Sequence, residues 1–370
     1  MSAKLYTPAR IGRYDLSHRI ALAPMTRLRT LQPGDIPSPM MADFYGQRAS
    51  QGGLEIIEAA SVSIPARSYL GAASFYHDGQ IEGWKAIVDA IHAKGGIAFL
   101  QLIHGGRQSH VEMTGGVAPL APSVVPFEGV ALTRNGFVPA SPHREIAIDE
   151  IPGIIEEFRM AAGRAKQAGF DGVELHGANG YLVDQFIQDG TNKRTDAYGG
   201  PVENRVRFLK EALEALISVW GADRVGVRIS PSGEWGGISD SDPETTFSYV
   251  AKVLDQYGLA YLHVIEPRIK GDSTLHEGHD VVAASYLRPH FTGPIIAAGG
   301  FDREGAQAIV ESGVADIVAF GRFFASNPDL PLRLQHDLPL NPYKREFFWG
   351  GSEVGYTDYP FSDQAVAAAA

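Results

Sequence analysis

The 370-residue chain contains no cysteine. That absence excludes disulfides, thiolate zinc sites, cysteine-ligated iron–sulfur clusters and a cysteine nucleophile. Long apolar runs are also missing, and no stretch reaches the roughly 18 residues a membrane-crossing helix requires. Basic charge is in short supply: 32 Lys and Arg stand against 43 Asp and Glu, for a net charge of −11. This argues against a nucleic-acid or anionic-membrane partner, which a basic surface would meet, but leaves room for a local basic pocket. The opening residues Met1-Ser2-Ala3-Lys4-Leu5-Tyr6 lack the apolar core and cleavage site of a signal peptide, so a cytoplasmic protein is expected.

Several motifs are missing too. No Gly-x-Gly-x-x-Gly occurs, which counts against a Rossmann dinucleotide domain. There is no Gly-x-Ser-x-Gly and no His-Glu-x-x-His. His276-Glu277-Gly278-His279 has the wrong spacing for a helical zinc site and reads as a solvated loop. No metal site is expected, although a barrel hydrolase using His176, His276 and His279 stays open as a distant alternative.

Glycine, by contrast, is abundant: 42 residues, about 11% against a usual value near 7%. Eight glycines begin Gly-Gly pairs, so the backbone must turn sharply or approach something closely at many places. Eight short apolar runs recur along the chain: 20–23, 54–59, 97–101, 172–175, 225–229, 261–265, 294–298 and 316–320. Continuous rather than alternating apolarity predicts buried parallel strands. Stripes at helical spacing lie between several of them, over 151–165 and 202–220. Alternation of this kind implies an α/β fold, a (β/α)₈ TIM barrel, as a single domain over 1–370. Residues 1–19 are expected to form an N-terminal β-hairpin lid on one barrel end. The proline-rich stretch 103–149 is expected to be a capping excursion after strand three.

In such a barrel the active site lies at the C-terminal strand ends. Gly299-Gly300 and Gly321-Arg322 end strands seven and eight, where backbone N–H groups and an arginine can bind a phosphate; tight turning alone would also explain them. Arg228 interrupts an apolar strand and must meet an acid, a carbonyl or an anionic ligand. Gln101 can donate and accept at once, which suits an amide-like ring edge or an ordinary structural hydrogen bond. His176, Asn179 and Tyr181 cluster directly after strand four, with glycines freeing the turn between them. His and Asn can clamp a carbonyl or nitro oxygen, and the phenol can donate a proton.

At these residues the chain resembles the old yellow enzyme family of FMN-dependent ene-reductases. The likeness is carried by His176-Gly177-Ala178-Asn179-Gly180-Tyr181-Leu182 with Asp184-Gln185-Phe186, by Asn192 to Gly200 with Glu203-Asn204-Arg205, and by Gly355-Tyr356-Thr357-Asp358-Tyr359-Pro360. It implies tightly but non-covalently bound FMN, NADPH or NADH as reductant, and α,β-unsaturated carbonyl or nitro compounds as substrates. Ala23-Pro24-Met25-Thr26 would line the flavin, with Ala59 at the ring edge, Gln101 at the pyrimidine and Arg228 facing N1 and the C2 carbonyl. Gly299, Gly300, Gly321 and Arg322 would hold the phosphate. His176 and Asn179 would bind the substrate oxygen, Tyr181 would be the proton donor, and Tyr69 and Trp349 would line the substrate cavity. Thr26 in place of Cys, and the lack of any cysteine, set the chain apart from branches with a cysteine-tuned flavin or an iron–sulfur cluster. Ile103 stands where many relatives carry Trp. The nearest rival is another FMN barrel such as a hydroxy-acid oxidase. A monomer or homodimer is expected.

Overall fold

A computed structural model describes residues 3–267, 269–270, 273–274, 282–363 and 365; His276 to His279 and Val366 to Ala370 lie outside them. Eight parallel strands close into a barrel in chain order. They are β1 (Ile20–Leu22), β2 (Leu54–Ser61), β3 (Ile97–Ile103), β4 (Gly172–Gly177), β5 (Val225–Ile229), β6 (Tyr261–Ile265), β7 (Ile295–Ala298) and β8 (Ile317–Phe320). β8 pairs back onto β1, so the sheet has no edge. Each of the eight apolar runs is one of these strands. Each is apolar along its length because both faces are covered, one by helices and one by the barrel interior.

The surrounding helices are α1 (Pro39–Arg48), α2 (Ile81–His92), α3 (Ile151–Gln167), α4 (Arg207–Trp220), α5 (Pro243–Asp255), α6 (Ala284–Leu287), α7 (Arg303–Glu311) and α8 (Leu330–His336). On α4, Leu209, Leu213, Leu216 and Trp220 form the buried face, and Gly221 at φ 77° ends it. The stripe beginning at Val202 is two pieces: Val202–Arg205 forms a separate turn, because Val206 has ψ −9°, too shallow for a regular helical ladder. Among the described residues, no helix is long and apolar enough to cross a membrane.

Inward-facing side chains are layered along the barrel axis. At the N-terminal end they are apolar: Leu54, Ile56, Phe99, Tyr261, Ile296 and Ile317. The N-terminal hairpin, Ala9–Ile11 paired with Tyr14–Leu16, seals this end by adding Ile11 and Leu16 to that layer. It is shorter than the expected 1–19 and lies opposite the strand ends that carry polar residues. Its turn approaches the barrel closely: a Cβ on Gly12, at φ +47°, would lie 1.9 Å from the Asp223 carbonyl oxygen. The capping excursion starts one residue later than expected, since β3 includes Ile103, whose carbonyl accepts from the Val62 N–H. Within it, Val130–Thr133 and Gly136–Pro139 form an antiparallel hairpin over the C-terminal end.

Two glycines give opposite expectations. A Cβ on Gly226 of β5 would meet Tyr261 ring atoms at 2.3 and 2.4 Å, inside the barrel. Gly226→Ala should therefore destabilise by about 1–3 kcal/mol, read as a lower urea midpoint. Gly163 lies within α3 with nothing within 4 Å of an added Cβ. Gly163→Ala should raise the midpoint, by about 0.5–1 kcal/mol of stability.

Candidate active site

A cavity of about 630 Å³ opens at the C-terminal ends of the strands. All sixteen site residues expected from the sequence line it. Ala23-Pro24-Met25-Thr26 follow β1, Ala59 lies on β2, Gln101 on β3 and Arg228 on β5; Gly299-Gly300 follow β7, and Gly321-Arg322 follow β8. Tyr69 and Trp349 arrive from the loop after β2 and from the C-terminal segment. Ala59 faces the cavity because of a bulge: register shifts between Ile57 and Ala60. The extra residue turns Glu58 away, where it accepts from the Arg27 backbone N–H and the Tyr45 hydroxyl. His104 and Glu266, also at strand ends, do not line the cavity; each takes a backbone N–H instead, from Gly106 and Ala284.

His176 lies within β4, which runs to Gly177, rather than after the strand as the sequence reading placed it. Strand alternation aims it inward together with Glu174, while Val173 and Leu175 pack against the helices. Burial, with the charge of Arg228 second, holds the imidazole pKa well below its ordinary value, so the ring is neutral. Its Nδ1 accepts from the Ala178 N–H at 3.3 Å, which leaves the proton on Nε2. The Tyr181 ring meets it edge-on at 5.0 Å. Burial, with the neighbouring Tyr69 second, pushes the Tyr181 phenol well above its usual pKa.

The intervening turn is unusual. Asn179 has φ +56° and Gly180 φ +69°. A Cβ at Gly180 would lie 2.5 Å from the Trp235 carbonyl, so only glycine fits. Buried polar partners hold this left-handed pair. Asn179 N donates to Ser230 Oγ (2.8 Å), Gly180 N to Asp184 Oδ2 (2.9 Å), and Ser230 Oγ to the same carboxylate oxygen (3.2 Å). Gln188 Nε2 donates to Asp184 Oδ1 (2.8 Å). Burial nevertheless pushes Asp184 up to about 7. Gln108 Nε2 and Gln185 Nε2 take the carbonyls of Asn179 and Gly180.

Beside His176, its register partner Arg228 on β5 has a buried Nε with no partner among the described residues. Burial lowers the guanidinium pKa, and Glu174, the largest opposing charge, raises it. Gly299 and Gly300, at φ +124° and +65°, carry no side chain into the wall, and a Cβ on Gly321 would approach Met25 Sδ at 3.2 Å. The short helix Arg322–Ser326 begins here. Buried Arg48 of α1 holds its far end, donating to the carbonyls of Phe324, Ala325 and Tyr356.

The sequence reading missed the cavity mouth. Val130 and Phe137 of the capping hairpin, Trp235, and Phe348 beside Trp349 all line it, with the Phe137 and Trp349 ring centroids 6.4 Å apart. No local signal marks Phe137, because its partner is more than two hundred residues away. The supports of Trp349 were more legible. Arg27 and Arg29 sit beside the Ala23-to-Thr26 segment, and Arg27 donates to the carbonyls of Phe348, Phe347 and Gly355. Arg29 adds Ser352 and again Phe347.

Comparison with known proteins agrees with this geometry. Residues 4–341 match the NADH:flavin oxidoreductase / NADH oxidase family. Among curated relatives, 12-oxophytodienoate reductase 1 of Oryza sativa is 45% identical over 97% of this chain and 93% of its own length. 12-oxophytodienoate reductase 2 of Arabidopsis thaliana is 44% identical over 97% and 96%. Among solved structures, morphinone reductase in complex with tetrahydroNAD superposes with a TM-score of 0.90 at 44% identity, covering 98% of both chains. The old yellow enzyme homologue of Zymomonas mobilis gives 0.92 at 40% identity, over 96% and 99%. The chain therefore belongs to the NADH:flavin oxidoreductase / NADH oxidase family, that of the old yellow enzymes, and is a NAD(P)H-dependent flavin oxidoreductase.

Proposed function

We propose that this barrel, as a single domain over 1–370, is an FMN-dependent ene-reductase acting on α,β-unsaturated carbonyl or nitro compounds. The observation that carries the reading is that one cavity gathers two donor sets. One set is neutral His176 and Asn179 with protonated Tyr181; the other is the Arg228 Nε, without a partner among the described residues, with the glycine cradle after β7 and β8.

FMN suits these donors. Arg228 would meet the electron-rich N1 and C2 carbonyl edge, Gln101 the pyrimidine, and the Thr26 hydroxyl the C4 carbonyl; Ala23, Pro24, Met25 and Ala59 would pack on the ring. Backbone N–H groups of Gly299, Gly300 and Gly321, with Arg322, would bind the phosphate. When bound, FMN would supply hydride chemistry at N5 for the substrate β-carbon, with NADPH or NADH as the reductant. The remainder is done by the chain's own groups. His176 Nε2–H and the Asn179 carboxamide donate to the activating oxygen and stabilise the negative charge that develops there. Tyr181 keeps its proton across neutral pH and delivers it to the α-carbon. Tyr69 and Trp349 border the substrate. The relative solved with tetrahydroNAD supports a nicotinamide entering the same cavity.

The purified protein should be yellow, bleach anaerobically with NADPH or NADH, and regain colour on adding cyclohexenone. A flavin-free protein that FMN does not reconstitute would refute the reading. Tyr181→Phe should slow alkene reduction by about 10²–10⁴ while leaving reduction of the flavin unchanged, as stopped-flow absorbance would show.

Asp184 gives a pH test. Its folded-state pKa of about 7 lies above the ordinary 3.8, so between those values the folded protein holds a proton that the unfolded chain releases. This group's contribution to stability therefore falls as pH rises through that window. Asp184→Asn removes the effect. The stability difference, variant minus wild type, should grow from pH 5 to pH 7 by up to about 1.4 kcal/mol per unit in parallel urea titrations.

A further inference from the structure

Charged and polar side chains facing inward from β3 to β6 form one buried cluster beneath the cavity. At its centre is Glu174, fully buried on β4. One carboxylate oxygen accepts from Gln101 Nε2 at 2.6 Å, and the other accepts from His263 Nδ1 at 2.8 Å. Glu174 pairs in register with Gln101 on β3 and with Gly226 on β5. Gly226 contributes no side chain there, and the Tyr261 ring of β6 packs against it. Burial lowers the His263 pKa, so its ring is neutral and Nδ1 carries the donated proton.

A carboxylate only accepts hydrogen bonds, whereas a carboxamide has one end of each kind. Glu174 therefore decides which way Gln101 points: nitrogen down to the carboxylate, oxygen toward the cavity that Gln101 lines. We propose that Glu174 is a positioning residue that locks the Gln101 carboxamide with its oxygen facing the ligand, so that the site selects a ring edge presenting an N–H. The inference rests on the reading that the cavity holds FMN, whose pyrimidine offers one N–H, at N3, between two carbonyls. Turned the other way, Gln101 would set a donor against that N–H and leave Glu174 facing an acceptor. Glu174 thus acts on the ligand through Gln101 and does not touch it.

A double-mutant cycle on apoprotein, read by quenching of FMN fluorescence, tests this. Glu174→Gln keeps the shape but gives residue 174 a donor as well, freeing the Gln101 amide to turn. It should weaken FMN binding about five- to tenfold, the scale of one misdirected hydrogen bond. In a Gln101→Leu background, the same change should cost clearly less, because no carboxamide is left to orient and only the effect of the lost charge on Arg228 remains. Equal losses in both backgrounds would overturn the proposal in favour of a merely structural carboxylate. A second measurement leaves Glu174 intact. With ¹⁵N-labelled FMN, Gln101→Leu should shift the N3 resonance upfield and speed exchange of its proton; an unchanged N3 signal would overturn the proposal even if Glu174→Gln fails to fold. Failure of the wild-type apoprotein to take up FMN is a different result, and would overturn the functional reading itself.

Discussion

Closing eight parallel strands on themselves leaves every second side chain no destination but the barrel axis, and water is excluded from most of that axis. Any polar group placed there must find its partner on another strand. Toward the N-terminal end the problem is avoided with Leu54, Phe99, Tyr261 and Ile317, sealed by Ile11 and Leu16 of the hairpin. Toward the C-terminal end it is met with a chain of partners, Gln101 to Glu174 to His263, with Arg228 beside them. Because these residues sit on rigid strands, the groups above them inherit fixed positions. Desolvation also sets their chemistry: it keeps His176 neutral and Tyr181 protonated.

The loops over the barrel are fixed by a different device. Arg48, Arg27 and Arg29 direct their guanidinium groups at backbone carbonyls, not at carboxylate side chains. One planar cation with several donors can satisfy carbonyls from segments far apart in sequence. Arg48 joins α1, the helix 322–326 and Tyr356, while Arg27 and Arg29 tie the segment bearing Phe348 and Trp349 to the chain following Thr26. Tyr356 also stacks on Phe44 at 4.2 Å and lies beneath Arg29, so the C-terminal segment is anchored by ring faces as well. Buried arginines thus hold both the helix 322–326 and the segment bearing Phe348 and Trp349 in place.

The strand runs were legible because burial on both faces leaves an unbroken apolar record, and the site residues because the fold puts chemistry at strand ends. Arg228 was recognised as a charge inside an apolar strand. The same signal stands at Glu58, Glu174 and His263, and there each group meets a hydrogen-bond partner from another segment. Where the reading slipped, the cause was local geometry: the extra strand residues at Ile103, His176 and Gly177, and the shallow turn at Val206. Each changes register or length by a residue or two, which hydrophobicity does not record.

The sequence by itself determined the eight-unit barrel, the absence of any cysteine chemistry and the identity of the polar groups at the strand ends. Those follow from patterns of burial and residue type that are local. Only the tertiary structure decided that Asn179 takes a left-handed turn held by Asp184 and Ser230, that Glu174 faces Gln101, and that Phe137 meets Trp349 over the mouth. These are contacts between distant segments, and their geometry is set by closure of the barrel rather than by the residues flanking each partner.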